Sequence, residues 1–166
     1  MQENNPLVFR YLDIKEAEGL QVSLEPAAAD YANLFDKPVV LKKVSLELNF
    51  TVGLDSIFLE GRAAAELEMV CARCAEPLVR SFEDSFDEVY PDTVEYIDTR
   101  EVIRETVGVL APIKVLCSDS CKGRCLVCGI NRNDHVCACK SEKANAFDGL
   151  KGLKLPKQDK PGQKDI

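Results

Sequence analysis

Eight cysteines fall in four close pairs: Cys71-x2-Cys74, then, after 42 residues, Cys117-x3-Cys121, Cys125-x2-Cys128 and Cys137-x-Cys139. Thiolates ligate soft metal ions and carry redox chemistry. Eight is also the number that two all-cysteine, four-ligand zinc sites require. The firmest unit is Cys125-Leu126-Val127-Cys128-Gly129. A two-residue gap lets both sulfurs face one ion while the intervening N–H groups turn toward them, and the glycine that follows is free to take positive φ. Cys137 and Cys139 can close that tetrahedron from a second loop. Cys71, Cys74, Cys117 and Cys121 then form the other site. This sequential partition is favoured over an interleaved one because each site joins two close pairs. His135, the only histidine, lies inside the cluster and could replace Cys137 or Cys139; otherwise it is an exposed loop residue.

The segment from Cys117 to Cys139 has few apolar residues and no core of its own, so a metal must substitute for one. A structural zinc contributes roughly 10 kcal/mol or more of apparent binding free energy coupled to folding. Four protein ligands leave no open position for water activation, so an enzyme is not expected. Rival chemistries are weaker. Cys121-x3-Cys125-x2-Cys128 matches the triplet that holds a [4Fe–4S] cluster in radical enzymes using S-adenosylmethionine, but those need a much larger barrel. An iron–sulfur cluster on four cysteines without catalysis is the next alternative. A redox CxxC usually opens a helix, whereas Cys71 ends a strand and Pro77 follows. No GxSxG, HExxH or glycine-rich phosphate loop occurs, and Glu83, Asp84, Asp87, Glu88 and Asp92 read as a solvated strand face.

The elements that must position these thiols are legible upstream. Val44, Leu46, Leu48 and Phe50 alternate with Ser45, Glu47 and Asn49, the pattern of a half-buried strand. Gly53-Leu54-Asp55-Ser56 supplies turn chemistry. The next strand turns Ile57, Leu59, Ala63, Ala65, Leu67 and Met69 inward and runs into Cys71. A third sets Leu78, Phe82, Phe86 and Tyr90 on one face. Together they predict an antiparallel meander with one wet face and the first CxxC at the hairpin tip joining strands two and three. Residues 26–34 predict a short helix with Pro26 in its first turn. Asp98-Thr99-Arg100-Glu101 resembles a capping box, opening a helix near 99–111 that Pro112 ends.

Of 166 residues, 46% are hydrophobic and 30% charged, the balance of a soluble globular protein. No apolar run of about 18 residues predicts a membrane span. The polar, acidic N-terminus lacks the order of a signal peptide. Together these place the protein in the cytoplasm, where eight cysteines argue for metal rather than disulfides. Residues 1–116 carry 11 Lys+Arg against 22 Asp+Glu, and residues 117–166 carry 10 against 6. An acidic body with a basic end suits docking on a basic partner more than freestanding nucleic-acid binding, although the basic end could touch phosphate.

Laid out in full, the cysteines resemble those of the YceD family of large ribosomal RNA subunit accumulation proteins. The family's C-x-R-C element is matched by Cys71-Ala72-Arg73-Cys74. Its long pattern C-x3-C-K-G-x-C-x-x-C-G-x-N-x-N-x3-C-x-C is matched by Cys117, Cys121-Lys122-Gly123-Arg124-Cys125, Cys128-Gly129-Ile130-Asn131-Arg132-Asn133 and Cys137-Ala138-Cys139. Leu110-Ala111-Pro112 sits where the family's L-x-P precedes the cluster. The resemblance covers residues 41–140. Arg124, Leu126 and Arg132 stand where leucine, proline and leucine are expected, and Ala75 replaces a leucine, but no ligand is lost. The resemblance implies a part in synthesis, processing or accumulation of large-subunit ribosomal RNA, and so in ribosome assembly.

The expectation is an α+β fold: a small antiparallel sheet with one or two helices and a C-terminal cysteine-rich zinc-knuckle module. Residues 1–112 would form a β-rich body, 113–140 a metal module joined by the Cys71/Cys74 tip, and 141–166 a basic, disordered tail. Two zinc ions would be held by Cys71, Cys74, Cys117, Cys121, Cys125, Cys128, Cys137 and Cys139. Lys122, Arg124, Asn131, Arg132 and Asn133, displayed on the knuckle loops, would contact ribosomal RNA or a ribosomal protein of the large subunit. The competing readings are a thiol redox or metal-responsive switch and a general protein–protein adaptor.

Overall fold

The computed structural model describes residues 5–139. Lys140 and the segment 141–166, read above as a basic tail, lie outside the described residues. Alternation at period two builds the main sheet. β3 (Val40–Val52) buries Leu41, Val44, Leu46, Leu48 and Phe50, and β4 (Ser56–Val70) buries every second residue from Ile57 to Met69. β5 (Pro77–Pro91) follows. The three are antiparallel neighbours, in register from Val52↔Ile57 across one hairpin, with a shift between Leu41 and Lys43, and from Val70↔Pro77 across the other. The turn between β4 and β5 therefore carries Cys71 and Cys74.

A fourth strand, β2 (Leu20–Leu24), pairs with β3 and completes the order β2-β3-β4-β5. Two shorter strands, β1 (Val8–Arg10) and β6 (Tyr96–Asp98), form a separate antiparallel pair. The inner face of the large sheet is covered by two helices. α1 (Tyr11–Glu16) turns Tyr11 and Ile14 inward, and α2 (Arg100–Val109) turns Ile103, Thr106 and Val107 inward. An antiparallel sheet needs this cover on one face only, so Glu47, Glu60, Glu66 and Asp87 stay exposed on the other.

Two expectations are corrected. Residues 26–34 form no α-helix but two 3-10 turns, Ala28–Asp30 and Ala32–Leu34, on either side of the buried Tyr31. With Tyr31 as its one buried side chain the segment does not recover the cost of helix nucleation, whereas the six-residue α1 buries two, Tyr11 and Ile14. The capping box is only half made. Asp98 Oδ1 accepts the Arg100 N–H at 3.1 Å, but Thr99 is the residue at the cap, and its hydroxyl donates to the Leu7 carbonyl at 2.9 Å. That bond ties α2 to the chain's N-terminal segment.

One glycine sets the fit of the edge strand. Gly61 lies opposite Phe86, and a Cβ built on it would come within 2.1 Å of the ring's Cζ. The ring thus lies directly over bare backbone. Gly61→Val should expel it and lower stability by about 1–3 kcal/mol, read as a fall in the urea midpoint.

Candidate metal centres

The connection 71–76 between β4 and β5 forms one knuckle. The Cys71 N–H donates to the Glu76 carbonyl and the Ala75 N–H to the Cys71 carbonyl, both at 2.9 Å. The Arg73 N–H faces the Cys71 sulfur at 3.4 Å. Ala75, one residue past the second cysteine, takes φ 58°. Residues 125–129 repeat this arrangement: the Gly129 N–H donates to the Cys125 carbonyl at 2.9 Å, and Gly129 has φ 73°. Glycine at 129 signals this turn in the sequence. Alanine at 75 does not, because residues with a Cβ seldom adopt the left-handed region.

The chain after α2 folds back onto the first knuckle. The Ala72 N–H donates to the Val115 carbonyl at 2.9 Å and the Arg124 N–H to the Arg73 carbonyl at 3.1 Å. Cys71, Cys74, Cys117 and Cys121 then place their sulfurs within 4.8 Å of one another, and so do Cys125, Cys128, Cys137 and Cys139. These are the two quartets expected from spacing. His135 belongs to neither. We term the first centre proximal, since it sits on the sheet with three of its four cysteines buried, and the second distal, with two half-buried and two exposed.

The donor set fits a tetrahedral metal. Cys71 and Cys121 sulfurs are 3.8 Å apart and those of Cys74 and Cys117 3.6 Å, far beyond the S–S bond of about 2.05 Å. Four sulfurs about 2.3 Å from one ion define a tetrahedron with edges of about 3.8 Å. All eight cysteines are free thiols.

Electrostatics points the same way. Burial alone would raise the Cys71 thiol, but main-chain N–H groups at Cys74, Cys117 and Arg73 bring it down to about 6. The N–H groups of Cys128 and Val127 bring Cys125 to about 6 as well. Cys74 behaves oppositely. The Glu76 N–H pulls it down, yet burial and the thiols of Cys71, Cys117 and Cys121 together push it up to about 12. The Cys128 thiol, then burial and Cys125, push Cys139 up to about 12. The backbone in each quartet favours ionisation of one sulfur, and the crowded thiols resist ionisation of another. A divalent cation is what lets all four ionise together.

Three arginine side chains clothe the proximal centre, of which only Arg80 went unnoticed in the sequence. The Arg73 Nη1 donates to the carbonyls of Asp119 (3.3 Å) and Cys121 (3.1 Å). From β5, Arg80 Nη2 donates to those of Leu116 (3.4 Å) and Cys117 (3.1 Å). Arg124 Nε reaches the Cys74 carbonyl, and its Nη2 reaches Glu76 at 3.2 Å. Three guanidinium groups therefore surround a centre that carries net charge −2 once four thiolates hold a divalent ion.

The five residues expected to face a partner divide into two groups. Arg124, Asn131 and Asn133 are engaged within the molecule. Asn131 Nδ2 donates to Asp134 at 2.7 Å, while Asn133 accepts the Lys122 N–H at 2.8 Å and donates to the Cys121 sulfur at 3.4 Å. The carbonyl, carboxylate and sulfur acceptors that fold back around them claim their donors. Lys122 and Arg132 make no side-chain hydrogen bond or ion pair among the described residues. They border a hollow of about 400 Å³ beside the distal centre, together with the exposed Leu126, Val127 and Val136.

The profile of the family described as "Large ribosomal RNA subunit accumulation protein YceD" matches residues 59–154, more than half of the chain and all eight cysteines. Two plant proteins, each named "Large ribosomal RNA subunit accumulation protein YCED homolog 1, chloroplastic", are similar. The one from Arabidopsis thaliana is 36% identical over 74 residues, 44% of this chain and 23% of its own length. The one from Zea mays is 32% identical over 65 residues, 39% and 22% respectively. The matched region thus spans less than a quarter of these relatives. No solved structure matches the chain.

Two outcomes test the centres. Cys74 and Cys139 hold their protons at neutral pH and must lose them to ligate, so metal uptake should release protons and affinity should fall as pH falls. An indicator dye in weak buffer reads both. Gly123, at φ 70°, would place a Cβ 3.0 Å from the Arg73 carbonyl. Gly123→Ala should therefore destabilise the folded-back segment by about 1–2 kcal/mol, seen as faster loss of metal to a chelator.

Proposed function

This chain belongs to the YceD family, and we propose that it serves large-subunit ribosomal RNA accumulation as a non-enzymatic factor that binds ribosomal RNA through a module stapled by two zinc ions. The observation that carries the reading is the pair of closed sulfur quartets inside the family match. Each has four protein ligands and no position left for a reacting group, which favours a structural metal over a catalytic one. Zinc is favoured over an iron–sulfur cluster by the single-ion edge lengths of 3.6 and 3.8 Å. Eight free thiols suit a reducing compartment such as the cytoplasm. Among the described residues no helix is long and apolar enough to cross a membrane.

Charge directs where RNA can approach. The body, with twice as many acidic as basic residues over 1–116, repels phosphate, whereas residues 117–166 carry 10 Lys+Arg against 6 Asp+Glu, which favours approach from the C-terminal side. Lys122 and Arg132 supply cations there, and Leu126, Val127 and Val136 supply apolar surface for unstacked bases. A second reading rests on the sheet's outer face, where Glu60 lies directly opposite Asp87. Like charges paired across strands are unfavourable, and a basic ribosomal protein docked there would relieve them.

Replacing Lys122 and Arg132 together by alanine should weaken binding to a large-subunit ribosomal RNA precursor and make the slope of log affinity against log salt shallower by roughly 1–2, with metal content unchanged. Unaltered affinity in a zinc-loaded sample rejects this surface. If capture of ribosomal material survives ribonuclease but is lost in a Glu60→Lys, Asp87→Lys chain, the sheet face is the contact.

A further inference from the structure

We infer that the two centres are coupled, with Asn133 acting as a positioning residue through which an occupied distal centre tightens the proximal one. The inference rests on the reading that both quartets bind metal. Its basis is the polar seam between them. Asn133 sits in the distal loop, eleven residues past Lys122 and twelve past Cys121. Yet its amide closes on the proximal centre: Nδ2 donates to the Cys121 sulfur at 3.4 Å, and Oδ1 accepts the Lys122 N–H at 2.8 Å. Asn131 holds that amide in place. Its Oδ1 accepts from the Asn133 N–H at 3.1 Å and from Asn133 Nδ2 at 3.0 Å.

What fixes Asn131 and Asn133 is the distal loop itself. Among the described residues from 124 to 139 none is buried, so no apolar packing shapes this segment. A handful of main-chain bonds trace it: Cys125 N–H to the Ile130 carbonyl, Arg132 N–H to Gly123 and His135 N–H to Asn131, at 2.9–3.1 Å. Exposed turns of this kind fray unless cross-linked, and the cross-link available is ligation by Cys125, Cys128, Cys137 and Cys139. The proximal quartet differs. Its knuckle is continuous with β4 and β5, and Cys71 and Cys74 are buried. With the distal centre empty, the proximal ligands stay close together but Cys121 loses its side-chain donor. Groups that hydrogen-bond a ligand typically alter metal affinity by 10–100-fold, and coupling between two binding sites is reciprocal.

Cadmium-113 bound to the full-length chain is a suitable probe, since each all-sulfur centre gives its own NMR resonance and its occupancy can be followed against a competing chelator. A Cys128→Ala, Cys139→Ala chain retains only the proximal centre and assigns its resonance. Its proximal affinity should be at least about ten-fold below that of the intact chain. Asn133→Ala, with both centres filled, should lose a similar factor, and combining the three changes should lose no more. Asn133→Asp keeps an oxygen for the Lys122 N–H but sets another against the Cys121 sulfur, and should bind at least as weakly as the alanine form. Far-ultraviolet circular dichroism confirms in each case that the sheet persists. Equal proximal affinity with and without the distal ligands, or losses that multiply, overturns the coupling. A chain that takes up no cadmium at either centre overturns the metal reading instead.

Discussion

Four sulfur atoms cannot share a space less than 5 Å across as thiolates unless a cation joins them. Everything after β5 is arranged around that constraint. A lone thiol on a knuckle ionises readily because two or three N–H groups point at it. A neighbour less than 4 Å away is then held back by like charge. The chain brings this conflict about twice, and nothing apolar in the distal segment would justify the crowding on other grounds. Ligation would turn a repulsive arrangement into the main source of order for a stretch that hydrophobic burial cannot fold.

The sheet enters as the fixed end of the system. β4 and β5 pair over fifteen residues each, so the hairpin reaches on the order of 50 Å and carries Cys71 and Cys74 to its tip. Its register is set near the other end by Ile57, Leu59 and the Gly61–Phe86 contact, where a one-residue slip would turn the apolar row outward. That rigidity transfers to the knuckle. Arg73 and Arg80, one on the tip and one on the edge strand, then grip the returning chain by its carbonyls, so the second pair of ligands meets a surface already formed.

Legibility followed the strength of each local signal. β3, β4 and β5 were readable because they alternate over many residues with one wet face. β1 and β6 span three residues each, too few for a period to emerge. β2 alternates Leu20, Val22 and Leu24 with Gln21 and Ser23 but over five residues only, and α1, at six residues, is stable only through Tyr11 and Ile14 against the sheet. The grouping of the cysteines into two quartets followed from spacing, since each joins two close pairs. Their surroundings did not. Nothing local marks Arg80 as a neighbour of Cys117, 37 residues away, or Asn133 as a donor to Cys121. Arg124 and the two asparagines resembled displayed recognition groups because their types suit that work. Only the fold shows that acceptors within the molecule reach them first.

The two centres therefore stand in different physical regimes. The proximal one has three of its four cysteines buried, is wrapped by three guanidinium groups and is continuous with the hydrophobic core through Leu78. The dianionic charge that a bound divalent ion would leave there meets these guanidinium groups at close range. The distal one is half exposed, and the side chains of Lys122 and Arg132 beside it make no hydrogen bond or ion pair among the described residues. A contact surface needs groups whose hydrogen bonds and charges remain unspent, whereas an anchor needs the reverse. By that criterion the proximal centre suits an anchor and the distal end suits the proposed contact, with the seam through Asn131 and Asn133 joining the two.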